Sequence, residues 1–399
     1  MKKGFTLVEL LAVIVILAVI LVIAIPQVLK AVHNSRTNAY IKNEQMVANV
    51  AKTYLASNSG KAPVSEGYIT IVSLNELQEN NLIGDIKDVS DKQTKCTGYV
   101  LIINLGNDAY DYQSYLNCGE NYETEGYPTE SLQEVDVLVV AGGGAGGSHK
   151  ATAGTSTGAG GGGAGGLIFR ENYYLNTNFY QVTVGKGGIS PENSGSGGQG
   201  ENSQFDTLVA IGGGGGGFRY GEPTSGGSGG GVGYFSSTGA SGISGQGNVG
   251  GSSGTNIFGG AGGGGYLEAG YYSNSHAGVN GGTGIYLGNV FGDKVGYNGY
   301  FASGGGGGSA TGHPVGIGGP GAGNGGSGNN GTSALKNTGS GGGGSGNSFH
   351  IGGDGGSGVV LIRYFGNPKA EGGIVTMFNG YTIHVFTEVG ESTFEVLEL

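Results

Sequence analysis

Few residues in this 399-residue chain are spaced for chemistry. Gly142, Gly144 and Gly147, in the run VDVLVVAGGGAGG at 135–147, fit G-x-G-x-x-G behind an apolar strand. That pattern holds a pyrophosphate only when a helix follows and its amino end faces the phosphates. Residues 148–166 contain 8 glycines in 19 positions and no helical stripe, so no dinucleotide site is expected. Cys96 and Cys118 have no third Cys or nearby His, which makes a poor metal set. They bracket two strand-like runs around Gly106-Asn107-Asp108, where a three-residue turn pairs Leu105 with Ala109 and sets Cys96 opposite Cys118. A disulfide closing that hairpin is favoured over two free thiols. His276, His313 and His350 lie among glycines and small polar residues, and His384 lies in a strand pattern. None is given a role. No Ser/His/Asp arrangement, carboxylate pair or metal constellation stands out, so the expectation is a non-enzyme without metal or cofactor. Glu9 remains, a carboxylate inside the 21-residue apolar run from Phe5 to Ile25. Such a run can span a bilayer, and a carboxylate there is costly unless paired.

Composition narrows the classes further. The net charge is -11 with only 18 Lys and Arg, which leaves no electrostatic footprint for nucleic acid. The 94 glycines lack the strict period and the proline of collagen. Their placement is uneven: residues 1–134 hold 8, residues 135–366 hold 82 and residues 367–399 hold 4. The chain therefore divides into a leader (1–4), an apolar helix half (5–29), a head (30–131), a glycine-rich module (132–366) and a closing β hairpin (367–399).

The elements that carry these residues follow from periodicity. Lys2 and Lys3 precede the apolar run, which places the amino terminus in the cytoplasm and the remainder outside. No small-residue cleavage site follows the run, as a secretory signal requires. Tyr40, Val47, Val50, Ala51 and Tyr54 continue a helical stripe until Ser57-Asn58-Ser59-Gly60 stops it. A helix over 5–56 is roughly 78 Å long. In the head, Tyr68–Ile71 alternates as a strand, and Ser73-Leu74-Asn75-Glu76 is a capping box opening a short helix.

Lys-Lys-Gly, then FTLVE and an unbroken apolar run to Pro26, resembles the type IV prepilin leader. The resemblance implies a prepilin peptidase that cuts after Gly4 and methylates the new amino terminus at Phe5. It implies that Glu9 meets that amino group on a neighbouring pilin subunit, and that a membrane assembly platform is a partner. The chain would reside in the cytoplasmic membrane before assembly and in an extracellular filament afterwards. YITIVSLNELQENNLIG is similar to the middle of pilin-like heads from Gram-positive bacteria.

Strand-like pieces at 135–141, 167–170, 180–184, 207–211 and 359–365 frame glycine tracts at 160–166, 212–217, 226–231, 259–265, 304–308 and 341–346. Ordering glycine costs more backbone entropy than ordering any other residue, and such composition ordinarily signals disorder. The ordered alternative is a stack of extended polyglycine helices, three residues per turn, whose amides bond to neighbouring helices. It is preferred because strands bracket the segment. VDVLVVAGGGAGG, YQVTVGKGG and GVVLIRYF resemble the frame of glycine-rich modules in bacterial surface proteins and phage tail adhesins. A related fold occurs in receptors of the anaplastic lymphoma kinase class. The YTIHVFT segment near the carboxyl terminus is similar to pieces that accompany such modules.

The fold expectation is thus an α+β pilin-like lollipop, with a long N-terminal helix and small β head, joined to a glycine-rich β/polyglycine-helix module. In the phage adhesins that the module resembles, connections between glycine helices bind receptors. Here they carry Phe218, Arg219, Tyr220, Tyr234, Phe235, Tyr271, Tyr272, Tyr297, Tyr300 and Phe301. Exposed rings suit a surface glycan or a protein receptor. The competing reading, slightly favoured, is that they cover the slab as its hydrophobic packing. Two functions stay open: a minor pilin displaying an adhesive module, and a pseudopilin of a type II secretion or DNA-uptake-type machine whose module contacts cargo or cell wall.

Overall fold

The computed structural model describes residues 7–63, 66–127, 134–149, 157–175, 178–234, 238–254, 257–347 and 349–397. The chain divides into two compact units, Met1–Tyr127 and Pro128–Leu399.

The first unit is a helix with a small head. Helix α1 spans Leu7–Ser57 and runs through Pro26. Its first half is apolar all round and exposed on every face, while Tyr40, Val47, Ala51, Tyr54 and Leu55 of its second half are buried. Strand β1 (Tyr68–Ser73) leads into α2 (Leu74–Glu79), whose cap is the expected one: Glu76 N–H donates to Ser73 Oγ at 3.1 Å. Strands β2 (Thr97–Gly106) and β3 (Ala109–Asn117) form the hairpin. Val47, Ala51 and Tyr54 close on Leu77, Val100, Ile102 and Leu116, so the stripe on the helix is the wall of the head core.

The hairpin differs from expectation at its tip. Gly106, not Leu105, pairs with Ala109, and the register shifts between Asn104 and Gly106. Asn107 and Asp108 both take φ near +55° (53° and 57°), which a two-residue hairpin turn of the twisted kind demands. The three-residue turn fails because Asn and Asp tolerate that region well, and Gly106 at φ 81° absorbs the extra residue as a bulge. Beyond the bulge the expected register returns, with Thr97 opposite Asn117. Cys96 and Cys118 accordingly form a disulfide with Cα atoms 4.2 Å apart.

One carboxylate is buried in the head. Burial pushes the Asp88 pKa up, but donors from Tyr40 Oη (2.6 Å), Ser90 N–H (2.5 Å) and Asn121 Nδ2 (2.7 Å) outweigh it and hold the group below its ordinary range. Tyr40 stacks on Tyr122 at 4.1 Å. The Tyr122 hydroxyl donates to Glu44 at 2.8 Å, tying the helix to the strand side of the core.

The second unit begins with β4 (Glu134–Val140), β5 (Leu167–Tyr174), β6 (Phe179–Val184), β7 (Ser203–Phe205) and β8 (Leu208–Ala210). It continues with β9 (Ile285–Tyr286), α3 (Gly288–Phe291) and β10 (Tyr300–Phe301). It ends with β11 (Val359–Phe365), β12 (Ala370–Glu371), β13 (Ile374–Phe378), β14 (Tyr381–Phe386) and β15 (Gly390–Val396). Strands pair antiparallel in the order β13-β14-β11-β4-β5, and a second sheet runs β12-β15-β6-β7-β8.

Alternation along β4 explains the layering. Val135, Val137 and Val139 face the second sheet with Val182, Phe205 and Phe394, whereas Leu138 and Val140 face Leu287, Phe291 and Phe301. A strand buried on both faces reads as a continuous apolar run, as Val137-Leu138-Val139-Val140 does. The segment 367–399 supplies β13 and β14 to the first sheet and β12 and β15 to the second. His384 is fully buried there, with Nδ1 donating to the Gly372 carbonyl at 2.7 Å and Nε2 accepting from Tyr364 Oη at 2.9 Å.

The glycine tracts form an ordered slab, and their hydrogen bonds show the geometry. Along residues 142–149 the amides of Gly142, Ala145 and Ser148 donate to Glu201, Gly198 and Gly195. Those of Gly143, Gly146 and His149 donate to Gly356, Gly353 and His350, and those of Gly144 and Gly147 to Gly163 and Gly160. Each neighbour is thus served by every third residue, the signature of an extended helix with three residues per turn. Carbonyls of the same tract accept from Gly213 and Gly216, from Gly342 and Ser345, and from Gly188. Six neighbours surround the tract, three through N–H and three through C=O. Such closeness requires glycine: a Cβ on Gly143 would lie 2.1 Å from the Ser340 carbonyl oxygen. Backbone hydrogen bonds between buried tracts replace the side-chain core and offset the entropy of ordering glycine.

Candidate functional site

Two regions carry the sequence-derived candidates. The first is the apolar half of α1. Gly4 and Phe5 lie outside the described residues; Glu9 lies in the first turn of the helix and is exposed. Large apolar side chains from Leu7 to Val32 are exposed around it, with Leu7 at 83%. This is the one helix among the described residues long and apolar enough to cross a membrane.

The second is the slab's set of connections, and the hydrogen-bond register sorts them to two ends. Tract 142–149 leaves the β4 frame and 158–166 returns to β5. Gly160 donates to Gly217 and Gly158 to Phe258, which places residues 217 and 258 at the end far from the frame. Gly308 bonds Ala159, and Ala310 bonds His276, so these connections reach the same end. In contrast, Leu287, Phe291 and Phe301 pack against the frame sheet, which puts residues 285–301 at the opposite end.

The ten candidates therefore do not make one face. Phe218, Arg219, Tyr220 and Tyr234 sit at the far end, as does Tyr272, whose hydroxyl is beside Gly254. Phe235 lies outside the described residues. Tyr297, Tyr300 and Phe301 belong to the frame end. Phe301, fully buried, is a core residue rather than a displayed ring, because β10 pairs it with Ile285 and turns it under the frame sheet. Tyr300 is half-buried against Tyr286, with centroids 5.0 Å apart. The rings that remain well exposed are Tyr220 (69%), Tyr272 (56%), Tyr271 (51%) and Tyr297 (42%).

The far end also contains a ladder that the sequence did not reveal. The Arg219 guanidinium lies 4.7 Å over the Tyr220 ring and 5.9 Å over that of Tyr234. Tyr234 stacks on Phe258 at 4.7 Å, Phe258 on His276 at 4.7 Å, and His276 meets His313 at 5.4 Å. Four successive connections are stapled side by side. Phe258 has a ring on each face, so this ladder packs the far end; Arg219 links Tyr220 to its Tyr234 end, and Tyr220 and Tyr272 remain largely exposed. Behind it, His149 is buried with Nδ1 3.0 Å from Thr157 Oγ1; burial, with the Arg219 charge adding to it, lowers its pKa below the ordinary value. The signal available in the sequence was positional and partial, since Phe258 directly precedes the glycine tract 259–265 and His313 follows the tract 304–308.

The run after Gly142 makes no phosphate cradle. No helix occurs among the described residues 141–149 and 157–166, and the amides of Gly142 and Gly144 are committed to Glu201 and Gly163.

Comparison with known families agrees with both regions. A glycine-rich domain family matches residues 122–365, and the chain belongs to that family. Residues 1–25 match the prokaryotic N-terminal methylation motif, the type IV pilin signal. The chain is therefore a type IV pilin-like surface subunit carrying a glycine-rich module, anchored in a membrane and later assembled into a filament. Prepilin peptidase and other pilins are its implied partners. A search of curated proteins found no match.

Proposed function

We propose that the chain is a minor pilin whose module is an adhesive, non-enzymatic display unit on a surface filament. Lys2 and Lys3 ahead of the apolar run support an orientation with the amino terminus in the cytoplasm and the folded units outside. The observation that carries the adhesive reading is the exposure of Tyr220 and Tyr272 at the far end of a slab whose interior is backbone. Tyr220, with the Arg219 guanidinium over its ring, and Tyr272 keep most of their surface exposed beside the ladder, where a partner can reach them. Large rigid rings supply contact area at low entropic cost.

The test is attachment of cells that carry the wild-type chain or its Tyr220→Ala, Tyr272→Ala double variant, with filaments labelled by antibody. Equal filament labelling with reduced attachment of the variant is expected. Unchanged attachment would remove the adhesive role from these rings. Label confined to the cell envelope would favour the secretion or uptake machine instead.

A further inference from the structure

A groove of about 590 Å³ opens near the frame end of the slab, between tracts 186–189, 333–337 and 354–357 and the turn 387–389. It is distant in the register from the far-end connections, and its volume suits a small ligand. Its lining is unlike the rest of the module. Lys186 and Lys336 both border it, two of only seven basic residues between 132 and 366. Neither ammonium group has an ion-pair partner among the described residues. The carboxylates of Glu388 and Asp354 border it too, with Asp354 Oδ1 accepting from Ser190 N–H at 2.8 Å.

Backbone groups add to this set. The amides of Gly187, Ile189 and Ser333 donate to nothing among the described residues, although most amides of the slab bond a neighbouring tract. The floor is bare backbone, packed so closely that a Cβ on Gly187 would sit 2.0 Å from the Gly355 oxygen. Apolar walls come from Ile189 and Val389, exposed by 58% and 50%.

The balance of these groups selects the ligand class. Two basic and two acidic residues border the same groove, so an anion gains little net attraction and an apolar molecule strands every polar group. A neutral polyol satisfies both kinds at once, because each hydroxyl accepts from an ammonium or amide and donates to a carboxylate. Its C–H face then rests on the glycine floor and the two apolar walls. We propose that this groove binds a short neutral saccharide. The site is independent of the far-end tyrosines, and its occupancy does not require the adhesive reading.

The experiment uses the full chain in detergent, titrated with fluorescently labelled hexasaccharides of glucan, mannan, galactan and, as the anionic probe, galacturonan. At least one neutral probe binds, and Lys336→Ala and Glu388→Ala each weaken it by about tenfold, the loss expected for one hydrogen bond to a charged group. Both side chains are exposed, and unchanged thermal unfolding confirms that each variant is folded. Tyr220→Ala leaves this binding intact, which separates the groove from the far end. Binding of galacturonan alone, binding unaffected by both groove variants, or no binding by any probe overturns the proposal.

Discussion

Replacing Gly162 by Ala adds one methyl group at the centre of the slab, and the structure sets its cost. The new Cβ would lie 2.1 Å from the Gly144 oxygen and 2.6 Å from its carbon, both backbone atoms that cannot rotate away. Restoring ordinary contact requires the two tracts to part by about 1 Å, beyond what an N–H···O bond tolerates. Three bonds are at risk: Gly162 N–H to Gly342 at 2.8 Å, Gly305 N–H to Gly162 at 2.9 Å and Gly144 N–H to Gly163 at 2.8 Å. Overpacking costs about 1–3 kcal/mol and each lost bond about 1 kcal/mol. Reduced entropy of the unfolded chain returns less than about 1 kcal/mol. The net loss is about 3–6 kcal/mol if all three bonds break, a large share of a domain's stability of about 5–15 kcal/mol. Gly195→Ala is the control, since its Cβ meets only Pro191 ring carbons at 3.2 and 3.5 Å. Thermal unfolding of the full chain in detergent should drop by roughly 10 °C for Gly162→Ala. Gly195→Ala should stay within a few degrees. Limited proteolysis should cut the first variant and spare the second. Equal unfolding of Gly162→Ala and wild type would refute the packed slab.

Other consequences can be measured directly. His384 is buried and neutral, its pKa pushed down to about 4 by desolvation from an ordinary 6.5. The unfolded chain therefore takes up the proton first as pH falls, and stability present above pH 6.5 is lost progressively down to pH 4, by about 3 kcal/mol in all. His384→Gln should flatten that part of the unfolding-versus-pH curve, and an unchanged slope would count against it. The Cys96→Ser, Cys118→Ser double variant should lose about 3 kcal/mol of head stability, read as a lower denaturant midpoint that reductant no longer shifts. Glu9→Val should insert into the membrane, being more apolar, yet fail to enter filaments; wild-type incorporation would deny Glu9 an assembly role.

Much of the fold was legible because local chemistry and tertiary packing agree in the head. The stripe from Tyr40 to Tyr54, the Ser73 cap and the Cys96–Cys118 register each reflect one dominant local cause. Ala109 pairs with Gly106 and not Leu105 because turn type, not residue count, sets hairpin register, and Asn107-Asp108 prefers the two-residue form. The slab was legible as a class of structure but not as an arrangement. Runs of identical glycines contain no information about which tract lies beside which, so the pairing of 142–149 with 195–201 and 350–356 emerges only in three dimensions. For the same reason Phe301 looked like Tyr272, although one is core and the other exposed. The Tyr234, Phe258, His276 and His313 ladder joins four connections separated by glycine, and no sequence period marks it.

A pilin assembly segment that carries this module must be cut after Gly4 and methylated at Phe5. Mass spectrometry of the amino-terminal peptide of the chain, recovered from membranes and filaments of cells with an active prepilin peptidase, tests it most directly. The expected peptide begins at Phe5 with a methylated amine, and Gly4→Val should abolish it. A wild-type chain that retains residues 1–4, or begins elsewhere, would rule out a prepilin amino terminus.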